Sequence, residues 1–136
     1  MGDRGNVVVD DGDDGRVYLY CHWNGYDLPG ILAEALASPE GRRRASDGSY
    51  LTRIIFQHIL EKCGGLEKGN RETGFGISAR LTDNEYPLLV VKPRERSVVI
   101  EREGHEGVAL RTMTMAEYAN LNYDDARVWR DGQPED

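Results

Sequence analysis

The chain has little cysteine, only Cys21 and Cys63 in 136 residues. That excludes the dense disulfide framework of small secreted domains, and reduced thiols are the expectation. Long apolar runs are missing too. No window approaches the ~18 apolar residues of a membrane-spanning helix, and the polar start Met1-Gly-Asp-Arg4 lacks the apolar segment of a secretory leader. Asn6 stands where a myristoylation signal wants Ser or Thr. A cytoplasmic protein that does not enter a membrane is therefore expected. Histidine is scarce, and His22, His58 and His105 are far apart, without the short-interval Cys or His pairs that announce zinc. No metal and no cofactor are expected. Positive charge is in deficit: 17 Lys and Arg face 24 Asp and Glu, a net charge of -7. A nucleic-acid polyanion would be repelled by such a surface, which argues against nucleic acid as a partner. The one dense basic cluster, Arg42-Arg43-Arg44, reads as a solvated loop. Gly-x-Ser-x-Gly is absent, as are the phosphate-loop and dinucleotide fingerprints.

What is present is concentrated. Three tyrosines, a His, a Trp and a Cys fall within Tyr18-Leu-Tyr-Cys-His-Trp-Asn-Gly-Tyr26. Ahead of it, the apolar run from Asn6 to Val9 and the Asp-Gly turn chemistry of residues 10–15 predict a hairpin into a second strand, Val17 to His22. The two-residue period sends Val17, Leu19 and Cys21 to one face and Tyr18, Tyr20 and His22 to the other. The aliphatic set should meet the core. Leu28, Ile31, Leu32, Ala35 and Leu36 then recur at helical spacing after Asp27, and Ser38-Pro39-Glu40-Gly41 ends that helix in an Arg-rich loop. Leu51, Ile54, Ile55, His58 and Ile59 mark a second helix, capped by Asp47 or Ser49 and stopped by Gly64-Gly65. On that stripe His58 reads as a hydrogen-bonded core residue before it reads as a ligand.

Alternation of Phe75, Ile77, Ala79 and Leu81 predicts a half-buried strand. Residues 87–91 and 97–101 flank a charged tip and read as a second hairpin, and Val108 to Leu110 as a short edge strand. Thr114-Met-Ala-Glu117 is a capping-box pattern, which places a helix over Ala116 to Leu121. The order ββααβββα implies an α+β two-layer sandwich, a mostly antiparallel sheet with two central helices on one face. Length gives a single domain over residues 1–123, followed by a charged tail over 124–136 in which only Val128 and Trp129 suggest docking.

If the helices cover the aliphatic side of the second strand, the other side gathers Tyr18, Tyr20 and His22, with Trp23 just beyond. Arg4 and Asn6 share a side of the first strand, and Ser78 and Arg80 share the polar side of the third. Should those sides coincide, rings would stack on a planar group and the two guanidinium groups would pair with an anion, as in a nucleotide. The plainer reading of tyrosines on a sheet face is ordinary cross-strand pairing. Cys21 and His22, adjacent on a strand, face opposite ways and form no nucleophile–base dyad. Cys21 and His58 would meet only across a buried interface.

Four segments carry a resemblance: Met1-Gly-Asp-Arg4, Tyr18-Leu-Tyr-Cys-His-Trp-Asn-Gly25 with Leu28-Pro29, Thr73-Gly-Phe-Gly-Ile-Ser78, and Asp83-Asn-Glu-Tyr-Pro87. In these the chain resembles small uncharacterised proteins recurrent in phages, prophages and prokaryotic genomes. The resemblance implies a compact cytoplasmic protein, carried by a mobile element, with no activity to transfer. It differs at Asn24, where many of those proteins have Asp. Three functional classes follow. The first is a binding protein for a small anionic ligand or a host protein, using Arg4, Asn6, Tyr18, Tyr20, His22, Trp23, Ser78 and Arg80. The second is a small hydrolase or transferase with His22 as general acid or base. The third is a homo-dimer or larger oligomer with no ligand.

Overall fold

A computed structural model describes residues 2–121. The charged tail and the segment with Val128 and Trp129 lie outside the described residues. Six strands form one sheet: β1 (Gly5–Asp10), β2 (Arg16–Cys21), β3 (Phe75–Ser78), β4 (Leu88–Lys92), β5 (Ser97–Glu101) and β6 (Ala109–Thr114), in the order β3-β2-β1-β4-β5-β6. All neighbours are antiparallel except the central pair, β1 and β4. The architecture is α+β, as the order of elements predicts.

Alternation decides what each face buries. Val7 and Val9 of β1, Leu19 and Cys21 of β2, Leu89 and Val91 of β4 and Val98 and Ile100 of β5 point to one side. There they meet α1 (Leu28–Ala37) and α3 (Gly48–Lys62) through Leu28, Ile31, Leu32, Leu51, Ile55 and Ile59. The predicted stripe of α1 is buried throughout, and of the α3 stripe Leu51, Ile55 and Ile59 are buried while Ile54 and His58 are half-buried. Asp47 is the cap of α3, accepting from the Tyr50 amide. Thr114 and Glu117 make the reciprocal capping box of α4 (Met115–Ala119), whose Tyr118 is wholly buried and donates its hydroxyl to Pro29 O at 2.9 Å. Tyr118 thereby fastens α4 to the first turn of α1. Tyr118→Phe keeps the ring but removes that hydrogen bond, so a loss of about 1 kcal/mol is expected in denaturant unfolding.

Three expectations need correction. The Arg-rich stretch is not all loop: Ser38 accepts from the Gly41 amide and caps a short helix, α2 (Pro39–Arg43). The third strand stops at Ser78, its Ile77 is 62% exposed, and Leu81 packs on the opposite face from the one its alternation implied. Four residues at a sheet edge give Ile77 no helix to pack against. Finally, the face away from α1 and α3, expected to gather Tyr18, Tyr20 and His22 on one surface, is partly covered by chain. Because β4 lies parallel to β1 on the far side of β2, the nine-residue connection 79–87 must cross that face. Leu81 from this crossing covers a second apolar cluster of Val8, Tyr18, Leu88, Val90 and Val99.

The β5–β6 connection folds over the same face and closes a charged network. Glu101, 3% exposed, is gripped by Arg16 through Nη1–Oε1 at 2.9 Å and Nη2–Oε2 at 2.7 Å. The Gly107 amide donates to Oε1 at 2.9 Å, and Arg16 Nε reaches Asp10 Oδ2 at 3.0 Å. Glu106 takes Arg16 Nη1 at 3.1 Å and the Tyr18 hydroxyl. Burial opposes charge on Glu101, but the Arg16 fork, the Gly107 amide and nearby Lys92 outweigh it and hold the carboxyl below its ordinary range. Truncating Glu101 removes the bidentate bond and orphans the Gly107 amide while Arg16 keeps Asp10 and Glu106, so Glu101→Ala is expected to cost about 1.5–3 kcal/mol. A carboxyl depressed in the folded state stabilises fully above the unfolded glutamate value near ~4.3 and loses that contribution as pH falls through its lower folded value. Denaturation midpoints of the wild type should therefore drop across that acid window, and Glu101→Gln should remove part of the slope.

Candidate functional site

The aromatic cluster of β2 lies where that strand ends, beside the starts of β1, β3 and β4. Main-chain bonds draw these ends together: the Asp3 amide donates to His22 O at 2.7 Å, the His22 amide to Gly74 O at 2.9 Å, the Gly25 amide to Asp3 O at 2.8 Å and the Glu85 amide to Arg4 O at 2.9 Å. All four segments that carry the resemblance thus converge on one corner of the molecule. Sequence reasoning singled them out separately and gave no sign that they meet.

Within the corner, Tyr20 Oη lies 2.6 Å from His22 Nδ1, so either tautomer has a partner there and the ring plane is fixed. The other ring nitrogen abuts the N-terminal segment: a Cβ built on Gly2 would stand 2.9 Å from Nε2. Trp23 meets the imidazole edge-on, with ring centroids 5.2 Å apart, and is 48% exposed. Its underside rests on Gly74, which has φ +90 and where a Cβ would come within 2.2 Å of the indole. Only glycine satisfies both demands.

Arg4 is tied to Glu85 through Nε, on a side chain that is partly exposed. Its Nε pairs with Glu85 Oε1 at 3.0 Å, and its own amide donates to the same oxygen at 2.9 Å. Those bonds hold the Glu85 carboxyl below its ordinary range. Asp83 also bears on Tyr20, whose phenol is raised first by burial and then by Asp83. Asp3 takes the Tyr86 hydroxyl and the Tyr26 amide. The charge set around the rings is three carboxylates, Asp3, Asp83 and Glu85, to one guanidinium. Asn6 is 2% exposed, and its Nδ2 donates to Asp83 O at 2.8 Å and Asn84 Oδ1 at 3.2 Å. Its Oδ1 has no hydrogen-bond partner. Flipping the amide would turn its oxygen on two acceptors, so the orphaned atom is an acceptor awaiting a donor.

Of the residues picked from sequence, Arg4, Asn6, Tyr20, His22 and Trp23 come together. Tyr18 does not join them. It is buried against Glu106, which with desolvation pushes its phenol up to about 12. Ser78 pairs opposite Tyr18 across the sheet and accepts from the Arg80 amide, while Arg80 lies exposed in the bend after β3 and makes no ion pair with a described residue. The residues that sequence reasoning missed, Asp3, Asp83 and Glu85, are acids in segments read as loop or turn. Arg4's own need for a counter-ion was the available signal.

Cys21 meets Cys63 rather than His58, which is half-buried on α3 near Glu40. No group of three metal-ligating side chains converges among the described residues, and no described helix is long and apolar enough to cross a membrane. A separate hollow of about 500 Å³ opens between α1, α2, α4 and the β4–β5 tip, and it shares no residue with the corner. Comparison with protein-family models, curated proteins and solved structures gives no match to the chain.

Since Gly74 seats Trp23, Gly74→Ala should lift the indole and alter its environment. An overpacked side chain at a left-handed position is expected to cost about 1–3 kcal/mol. The indole N–H resonance of Trp23, assigned against Trp23→Phe, should shift.

Proposed function

We propose that the protein is a non-catalytic binding protein, an accessory of a mobile element, that takes its partner at the Tyr20–His22–Trp23 corner. The observation that carries this reading is the convergence of four short, sequence-distant segments on a half-exposed tryptophan, where fold stability alone asks for no exposed indole. Two partner classes follow from the sequence, a small anionic ligand and a host protein, and the charge of the corner favours the second. With Arg4 Nε already paired to Glu85, an incoming phosphate would meet a guanidinium shared with that carboxylate and the charges of Asp83 and Glu85. A lysine or arginine on a partner protein would find those carboxylates and the half-exposed face of Trp23 for its alkyl stem.

Acid–base catalysis by His22 has one observation on its side, the Tyr20 contact that fixes the imidazole. Cys21, the nearest thiol in sequence, points to the opposite face of the strand and supplies no nucleophile.

Calorimetric titration with an arginine-rich peptide and with a set of nucleoside phosphates separates the readings. The expectation is salt-sensitive peptide binding, weakened at least tenfold by Trp23→Ala with Tm nearly unchanged. A ligand at 100 times its dissociation constant should also add about 2.7 kcal/mol of stability. Nucleotide binding without peptide binding would reverse the choice of partner, and silence in both titrations would remove the corner as a recognition surface.

A further inference from the structure

The hollow of about 500 Å³ beside α1, α2 and α4 is lined by the apolar side chains of Leu36, Met115 and Ala119, and by Arg42 of α2 with Glu95 and Arg96 of the β4–β5 tip. Its size falls within the range of about 300–1,000 Å³ in which small organic ligands are held. Two arginines close in sequence to its rim are already matched, Arg44 with Asp47 at 3.5 Å and Arg94 with Asp14 at 3.4 Å. Arg42 and Arg96 form no ion pair with a described residue. Against the one carboxylate of Glu95 they give the rim an excess of positive charge, on a chain whose net charge is -7.

Arg96 is also held in an unfavourable backbone conformation. Its φ is +51, the one positive φ at a residue other than glycine among the described residues. Glycine reaches that region without steric cost and would serve the turn better. The tip is nevertheless fixed there by main-chain bonds, from the Arg96 amide to Pro93 O at 3.2 Å and from the Met115 amide to Arg96 O at 2.9 Å. A position whose backbone suits glycine, but which carries a guanidinium at the rim of a cavity, points to a use for that side chain.

We propose that this hollow binds a small amphiphilic anion, an apolar chain or ring that ends in a carboxylate or a phosphate. The apolar end lies against Leu36, Met115 and Ala119, and the charged end pairs with Arg42 and Arg96. A guanidinium fork matches either oxyanion. Burial of the apolar end supplies the affinity that exposed arginines, screened by water, would not give alone. The site shares no residue with the Tyr20–His22–Trp23 corner, so it stands whether or not that corner takes a partner protein.

The test is calorimetric titration of the full-length protein with decanoate, with decyltrimethylammonium as the control for charge and acetate as the control for the apolar body. Decanoate should bind at a single site and move the methyl resonances of Met115 and Ala119, and both controls should bind at least about tenfold more weakly. Arg42→Gln and Arg96→Gly should each weaken decanoate about fivefold. Arg96→Gly should do so without lowering Tm, because glycine relieves the positive-φ position. No binding of decanoate, equal binding of decyltrimethylammonium, or wild-type affinity in both arginine variants would each overturn the proposal. Binding gained only in Trp129→Ala would overturn it as well, by assigning the hollow to the chain's own C-terminal segment.

Discussion

The parallel pairing of β1 with β4 is the constraint from which the rest of this architecture follows. Antiparallel neighbours can be joined by tight turns, whereas this pair requires the chain to pass across the sheet. Helices α1 and α3 already occupy one side, so residues 79–87 cross the other. That crossing covers Val8, Tyr18 and Val90, brings Asp83 and Asn84 onto Asn6, and delivers Glu85 to Arg4. A face that alternation alone would leave wet becomes a second, smaller core. At the corner where the crossing reaches β1, Trp23 stays half-exposed.

The same crossing explains how much could be read in advance. Helix stripes and caps were legible because the periods of Leu28–Leu36 and Leu51–Ile59 are local, and Thr114 and Glu117 bond within four residues. The hairpins were legible from their turn chemistry. The sequence pattern carried no record of which strand lies beside β1 across 80 residues of chain, because parallel partners leave no turn to recognise. Alternation therefore placed Tyr18, Tyr20 and His22 on one side correctly but treated them as one surface. In the folded chain Tyr18 lies under Glu106 while Tyr20 and His22 lie at the rim. Leu81 was read into the third strand because apolar alternation continues two residues past the last ladder bond.

Charge is placed with equal economy of position. Arg16 spans from β2 to Glu101 of β5, passing β1 and β4, and its three carboxylate partners are drawn from three separate elements or connections. Full satisfaction of both Glu101 oxygens makes burial tolerable where an isolated carboxylate would not be. At the corner the balance is reversed, with more acid than base and one buried acceptor unmatched.

The joints between the segments at that corner are made by peptide groups: Asp3 to His22, His22 to Gly74, Gly25 to Asp3, Glu85 to Arg4. Peptide groups are the same whatever residue bears them. Apart from the glycines beneath Trp23 and beside the imidazole, lineages related to this chain are free to exchange the outward side chains there while the frame persists. A common skeleton can thus carry dissimilar chemistry at this corner, and similarity of shape would be a poor guide to it.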